Sequence, residues 1–312
     1  MRGRRRLSLI AAVFAATLIA GCASEEGRLT EEPKEGPTIT IGSANFAESQ
    51  ILAEIYAGVL KDKGYDVQTK LNIGAREAYF PALEKGSIDL FPEYTGSALA
   101  YLAKDPSASK PDSDENYENL TAELQGKGLT ALDYAPAQDS DGIVVNKQTA
   151  DKYGLKTVGD LKAHASELVM GGPPECPKRY ACLMGLEKAY GIEFKEFKPL
   201  DVAGPLTVKA LKENAIQVAN LFTTQSAIAA NDFVLLDQTA KPIAGAENVV
   251  PIVRDEILDA YDTLEADVNA VSAKITTQAL TELNERVEIG KQDADVVAAD
   301  WVKQEGLVAD TK

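Results

Sequence analysis

The chain has 312 residues and a formal net charge of −16, with 48 Asp and Glu against 32 Lys and Arg. That balance excludes the basic footprint nucleic acid requires and disfavours peripheral contact with anionic lipid. One His and three Cys leave little from which to build a metal centre, and none is expected. Dinucleotide, P-loop, H-E-x-x-H and G-x-S-x-G motifs are all missing, so neither a cofactor nor an enzymatic activity is expected.

Arg2, Arg4, Arg5 and Arg6 precede Leu7–Ala20, an uncharged and mostly apolar stretch. It is shorter than the roughly 20 residues needed to span a bilayer and reads as a signal-peptide core over residues 1–21. Ile19-Ala20-Gly21-Cys22 resembles the lipobox of bacterial lipoproteins, in which Cys22 would carry the lipid; the alternative is an ordinary secretory signal with a chance Cys. Removing residues 1–21 takes away four Arg and no acid, leaving −20. Residues 22–37, rich in Glu, Gly and Pro, predict a flexible tether. The rest suits one large domain or two lobes.

From there β-type and helical patterns alternate. Thr38–Ile41 predicts a strand, and Phe46–Lys63 a helix with Ile51, Leu52, Ile55, Tyr56, Val59 and Leu60 on one face, ended by Gly64. Val67–Leu71 predicts a strand, Ala75–Lys85 a helix with Pro81 as a possible irregularity, and Ile88–Phe91 a short buried strand. Further strands are expected at Gly142–Asn146, Leu168–Met170, Gln217–Leu221, Phe233–Leu236 and Val249–Val253. Helices are expected at Val158–Ala165, Ala181–Tyr190, Leu206–Glu213 and Gln225–Asn231, and over most of the C-terminal part. Such alternation predicts α/β sheets covered by helices.

Three smaller patterns have local readings. Asp112, Asp114, Asn116 and Glu123 match part of a calcium-loop spacing, but Tyr117 stands where the sharp turn needs Gly, and an acidic helix N-terminus explains the run better. His164 reads as a helix-surface residue. Cys176 and Cys182 flank five residues and lie near Pro173, Pro174 and Pro177. A non-helical loop there would permit a disulfide between them, the alternative being two free buried thiols.

Several segments carry a resemblance. Ile41-Gly42-Ser43-Ala44-Asn45-Phe46-Ala47-Glu48, Ile88-Asp89-Leu90-Phe91-Pro92-Glu93-Tyr94-Thr95-Gly96-Ser97, Pro173-Pro174-Glu175-Cys176-Pro177-Lys178-Arg179, Lys188-Ala189-Tyr190-Gly191 and Phe222-Thr223-Thr224 occur in this order. Together they resemble the osmoprotectant-binding proteins of ABC importers, the glycine betaine/choline/carnitine group. The resemblance implies a two-lobed, type II periplasmic-binding-protein-like clamshell with a ligand cleft between lobes. Chain crossings would lie near Asp141–Val145 and Val249–Arg254. Lobe one would hold residues 38–141 plus 250–312, and lobe two 142–249.

The resemblance also implies a ligand site. Tyr94, Tyr190 and Phe222 would wall a cationic ammonium, which rings attract without hydrogen bonds. Arg179 would clamp a carboxylate. Ser97, Asn45 and Thr223 would add polar contacts. A further cage tyrosine of the family falls near Asp141, a carboxylate that would meet a cation. The family's usual Gln falls at Ser49, one step before Gln50, and an Asp after the second Thr is Gln225. The expected protein is a monomer, lipid-anchored on the extracytoplasmic face of the cell membrane. It would pass a small zwitterionic or cationic solute to the permease of an ABC importer; the alternative solute is an amino acid or another small polar molecule.

Overall fold

A computed structural model describes residues 32–309, so the expected signal peptide, Cys22 and tether residues 23–31 lie outside the described residues. The described residues form ten strands: β1 (Ile39–Gly42), β2 (Val67–Lys70), β3 (Leu90–Tyr94), β4 (Leu129–Ala131), β5 (Asp141–Val145), β6 (Val169–Gly172), β7 (Glu196–Pro199), β8 (Val218–Phe222), β9 (Val234–Leu235) and β10 (Val249–Arg254). They build two five-stranded sheets, β2-β1-β3-β10-β4 and β7-β6-β8-β5-β9. In the first, β1 runs parallel to β2 and β3, while β10 is antiparallel to β3 and β4. The second repeats the plan, with β6 parallel to β7 and β8 and β5 antiparallel to β8 and β9. Each sheet thus receives its antiparallel strand from chain arriving from the other.

Helices cover these sheets. α1 (Ala47–Asp62), α2 (Arg76–Glu84), α3 (Thr95–Leu102) and α4 (Ser113–Leu124) accompany the first sheet. α5 (Lys147–Tyr153), α6 (Leu183–Gly185), α7 (Pro205–Lys212) and α8 (Ser226–Ala230) accompany the second. α9 (Asp255–Ala260), α10 (Leu264–Ser272), α11 (Thr277–Glu288) and α12 (Ala294–Gln304) return to the first. Among the described residues no helix is long and apolar enough to cross a membrane.

The core follows from residue pattern. On β10, Val249 and Val253 pack on the α1 and α10–α12 side, and Val250 and Ile252 on the opposite face with Phe80, Leu99 and Leu120. This is the alternation of a strand covered on both faces, and each fully buried aliphatic side chain contributes roughly 1.5–3 kcal/mol. The six apolar residues expected on one face of α1 are all fully buried. Gly64, at φ 85°, turns the chain out of the helix, a conformation only glycine adopts readily. The same alternation on β3 sends Glu93 toward α2 and Tyr94 toward α1, which sets up the site below.

Local differences cluster around the second sheet. Val158–Ala163 is 3₁₀ rather than α, opened by a Thr157/Asp160 capping box. The helix expected over Ala181–Tyr190 shrinks to α6 followed by a π-turn, Leu186–Tyr190. The cause is local: a disulfide joins Cys176 to Cys182, and a Cβ at Gly185 would lie 1.9 Å from the Tyr180 carbonyl oxygen. Strands β4 and β7 had no sequence signal, being short or half-exposed with no clean alternation.

Two segments carry the chain between sheets, one between β4 and β5, the other between β9 and β10. They lie side by side: Gln138 bridges Asn248, and the Asp139 N–H donates to the Glu247 carbonyl at 3.0 Å. The crossings therefore precede β5 and β10, and they hold two buried acids, Asp139 and Glu247, at the junction of the sheets.

Candidate functional site

A cavity of about 190 Å³ opens between the two sheets, bordered by both crossings. Its aromatic lining is Phe46, Tyr79, Tyr94, Tyr180 and Phe222. Phe46, just before α1, and Phe222, ending β8, come from different lobes and meet at 4.9 Å between ring centroids. Phe46 lies 6.2 Å from Tyr94. A larger space, about 570 Å³, lies on the other side of Phe46 and Phe222, between α7, α8 and α11.

Of the residues proposed from sequence, Asn45, Tyr94, Ser97, Asp141, Arg179 and Phe222 line the smaller cavity. Tyr190 and Thr223 do not border it. The π-turn carries Tyr190 into the second lobe, where its hydroxyl donates to the Lys241 carbonyl and Lys241 Nζ stands over the ring. Thr223 turns back to the crossing, accepting from the Ser140 N–H at 3.0 Å and donating to Asp139 Oδ1 at 3.1 Å. His164 is also remote from the cavity, stacked on Tyr153 at 4.3 Å. Asp112 caps α4 by accepting from the Glu115 N–H at 2.9 Å. No cluster of three or more metal-ligating side chains occurs among the described residues.

Buried charges that sequence reasoning missed fix the wall. Arg76, opening α2, makes a two-armed contact with Glu93, Nε to Oε1 at 2.5 Å and Nη2 to Oε2 at 2.9 Å. Tyr79 also donates to Glu93, at 2.6 Å. Burial disfavours the Arg76 charge, but the Glu93 carboxylate outweighs it and holds the guanidinium well above its ordinary pKa. The Tyr94 hydroxyl donates to Glu48 Oε1 at 2.7 Å, which locks the ring; burial and then the Glu48 charge push its pKa well up.

Glu48 is itself a junction. Its Oε2 accepts from Thr224 Oγ1 at 2.6 Å and from Asn284 Nδ2 at 2.7 Å, so it ties α1 to α11 and to the loop after β8. Burial raises the pKa of Glu48. Burial and the neighbouring Glu48 raise that of Asp139 further. Burial pushes Glu247 up to about 8, although Ser97 donates to both its oxygens at 2.9 Å. Asp141 is also raised by burial, opposed by a 2.9 Å bond from Asn220.

Arg179 lies across the cavity from the first lobe. It reaches over the cleft to Glu77 on α2, donating from Nη2 at 2.8 and 2.9 Å. The disulfide-closed loop that carries it spans only 5.3 Å between the two Cys Cα atoms, which keeps Arg179 at the cavity wall.

A cleft between two sheets, with aromatic rings from both lobes on its wall, is a site that can hold a small solute. The profile of a family described as the substrate binding domain of ABC-type glycine betaine transport systems matches residues 37–304. The chain belongs to this family. Its relatives include the glycine betaine-binding protein YehZ of Escherichia coli (strain K12), 27% identical over 86% of this chain and 90% of that protein. The ergothioneine transport permease/ergothioneine binding protein EgtU of Helicobacter pylori (strain G27) is 25% identical over 97% of this chain, which spans 54% of EgtU. A crystal structure of a glycine betaine/carnitine/choline ABC transporter protein superposes with a TM-score of 0.68 at 24% identity, covering 86% of this chain and 99% of the other. The two sheets and their helices form the same two-lobed periplasmic-binding-protein fold. This chain is a substrate-binding protein of an ABC-type importer.

Proposed function

We propose that this binding protein captures glycine betaine or a related quaternary ammonium compound outside the membrane and delivers it to its permease. The observation that carries the reading is the ring set, Phe46 and Tyr94 from one lobe and Phe222 from the other, around one cavity. A methylated ammonium has no N–H to donate; aromatic faces attract its charge and tolerate its methyl groups. Arg179 binds the carboxylate end of a betaine by exchanging Glu77 for the ligand. Glu77 is exposed, so the exchange costs little. Ser97 and Asn45 border the same space.

The lobes divide at 38–141 plus 250–312 and 142–249; the assignment of strands to sheets supports this except at the boundary residues, Asp141 opening β5 in the second sheet and Val249 opening β10 in the first. The protein works as a monomer held by a lipid on Cys22 at the extracytoplasmic face; the tether expected over 22–37 is shorter at its far end, because the Lys34 N–H donates to the Gly64 carbonyl at 2.9 Å and the Pro37 carbonyl accepts from the Tyr261 hydroxyl at 2.7 Å. A second reading keeps the transport role for an amino acid or another small polar solute. Asp141 and Glu247, acceptors that a trimethylammonium cannot satisfy, favour it.

Titration calorimetry with glycine betaine, choline, carnitine, ergothioneine, proline and other amino acids tests these readings. Micromolar or tighter binding of at least one quaternary ammonium compound is expected. Binding of an amino acid alone would leave the transport role and overturn the ammonium reading.

A further inference from the structure

The two arginines of the cavity are already matched to acids. Arg76 spends its fork on Glu93, and Arg179 holds Glu77. Two other carboxylates line the same space without a cationic partner of their own: Glu247, 3% exposed, and Asp141, the first residue of β5. Glu247 accepts only from the Ser97 N–H and hydroxyl, one donor to each oxygen. Asp141 Oδ1 accepts from Asn220 Nδ2, and Oδ2 has no donor among the described residues. A carboxylate offers about four lone-pair sites, so both retain acceptor capacity at the cavity wall. Two further acids line the space: Glu175, on the loop that carries Arg179, and Asp139, whose Oδ1 is taken by the Thr224 N–H and the Thr223 hydroxyl.

Glu247 lies on the crossing before β10 and Asp141 opens β5; both border the one cavity, where the Asp141 charge bears on Glu247. A bare carboxylate placed against them brings no donor to these acceptors, and it meets like charge wherever either acid is ionised. An O–H or N–H donor, or a positive group, takes up the acceptor capacity these two side chains present to the cavity.

Resting on the quaternary-ammonium reading, we propose that Glu247 and Asp141 are the specificity-determining pair of this cavity. They accept a donor or positive group on the ligand and turn away a ligand whose polar end there is only a carboxylate. Such a ligand places its methylated ammonium among Phe46, Tyr94 and Phe222 and an O–H or N–H against the pair. Choline has both groups; glycine betaine has only the first.

The test is titration of the purified protein and of the variants Glu247→Gln and Asp141→Asn with choline, glycine betaine and putrescine. The wild type is expected to bind choline at least tenfold more tightly than glycine betaine. Each variant is expected to lose at least tenfold for choline while glycine betaine holds or improves, so the ratio between the two ligands collapses. A merely structural role would weaken both ligands together, and that result overturns the proposal. So does a wild type that prefers glycine betaine. Should neither quaternary ammonium compound bind, the ammonium reading fails, and putrescine decides the pair's role. Putrescine binding that Glu247→Gln abolishes sustains that role, and its absence overturns it.

Discussion

Replacing Glu247 by Gln should change how stability responds to pH. In the folded chain burial holds this carboxyl at about 8, against an ordinary 4.5. The folded state therefore binds the proton more tightly than the unfolded state does. The associated stability is fully present below pH 4.5, falls as pH rises through the window, and is gone above about pH 8. The gap corresponds to roughly 5 kcal/mol of ligand-free stability lost across the window, at about 1.4 kcal/mol per pH unit. Arg76 and the Ser97 donors favour the ionised form, and burial and Asp141 oppose it. Gln carries no proton to lose. Its amide nitrogen faces a Ser97 donor where an oxygen stood, a pH-independent cost of about 1–3 kcal/mol. The variant should thus be less stable than wild type at pH 5 and more stable at pH 8.5. Urea unfolding of both proteins without ligand at pH 5, 6.5 and 8.5 measures the difference. A difference constant to within about 0.5 kcal/mol would show that Glu247 does not titrate in this window and refute the reasoning.

Four further outcomes are expected. Tyr94→Ala removes one wall of the ring set and should weaken a quaternary ammonium ligand by about 1–2 kcal/mol in calorimetry. Arg179→Ala should weaken glycine betaine more than choline, which has no carboxylate to clamp; equal losses would remove Arg179 from the ligand. Arg76→Met leaves Glu93, 1% exposed, without its counter-charge and should cost about 3–5 kcal/mol in chemical denaturation. Adding Glu93→Gln should recover much of that. Cys22→Ser should move the protein from the membrane to the soluble fraction; retention at the wild-type level would remove the lipid anchor.

How much of this could be read from the sequence depended on periodicity. The α1 stripe from Ile51 to Leu60 and the buried runs at β1, β3, β8 and β10 follow regular patterns because each element packs a whole face. The loop carrying Arg179 was marked by prolines and two Cys, yet the π-turn beyond it was hidden. It goes with the disulfide and with the close approach of Gly185 to the Tyr180 carbonyl, neither of which periodicity marks. That turn is also why Tyr190, expected beside the ligand, stands at Lys241 instead. Asn45, Tyr94, Ser97, Asp141, Arg179 and Phe222 gather at one cavity through a recognisable family pattern. Phe46, Arg76 and Glu48 were not singled out, although alternation along β3 was a usable signal. It sends Glu93 and Tyr94 to opposite faces, and each then needs a partner from a neighbouring helix. Glu247 had no such signal. It follows the irregular Pro242–Ala246 segment, and only the pairing of the two crossings brings it to the cavity.

Beside the Phe46–Phe222 ring contact, polar contacts hold the two lobes together across the cleft. The Arg179–Glu77 pair is partly exposed, and such pairs contribute about 0–1 kcal/mol. The Thr224 hydroxyl on Glu48 is buried and stronger, on the order of 1.5–3 kcal/mol if Glu48 is charged. Gln225 and Ser226 add bonds to Glu288 on α11 at 3.1 and 3.3 Å. The balance between open and closed lobes is therefore set by a few kcal/mol, and a ligand shifts it only through its different affinity for the two arrangements. The ring contact between Phe46 and Phe222 supplies that difference, because the rings enclose a cation together only when the lobes meet. Glu48 stands where the two effects join. It holds Tyr94 in the ring wall with one oxygen and the second lobe's Thr224 with the other, so orienting the wall and closing the cleft depend on the same carboxylate.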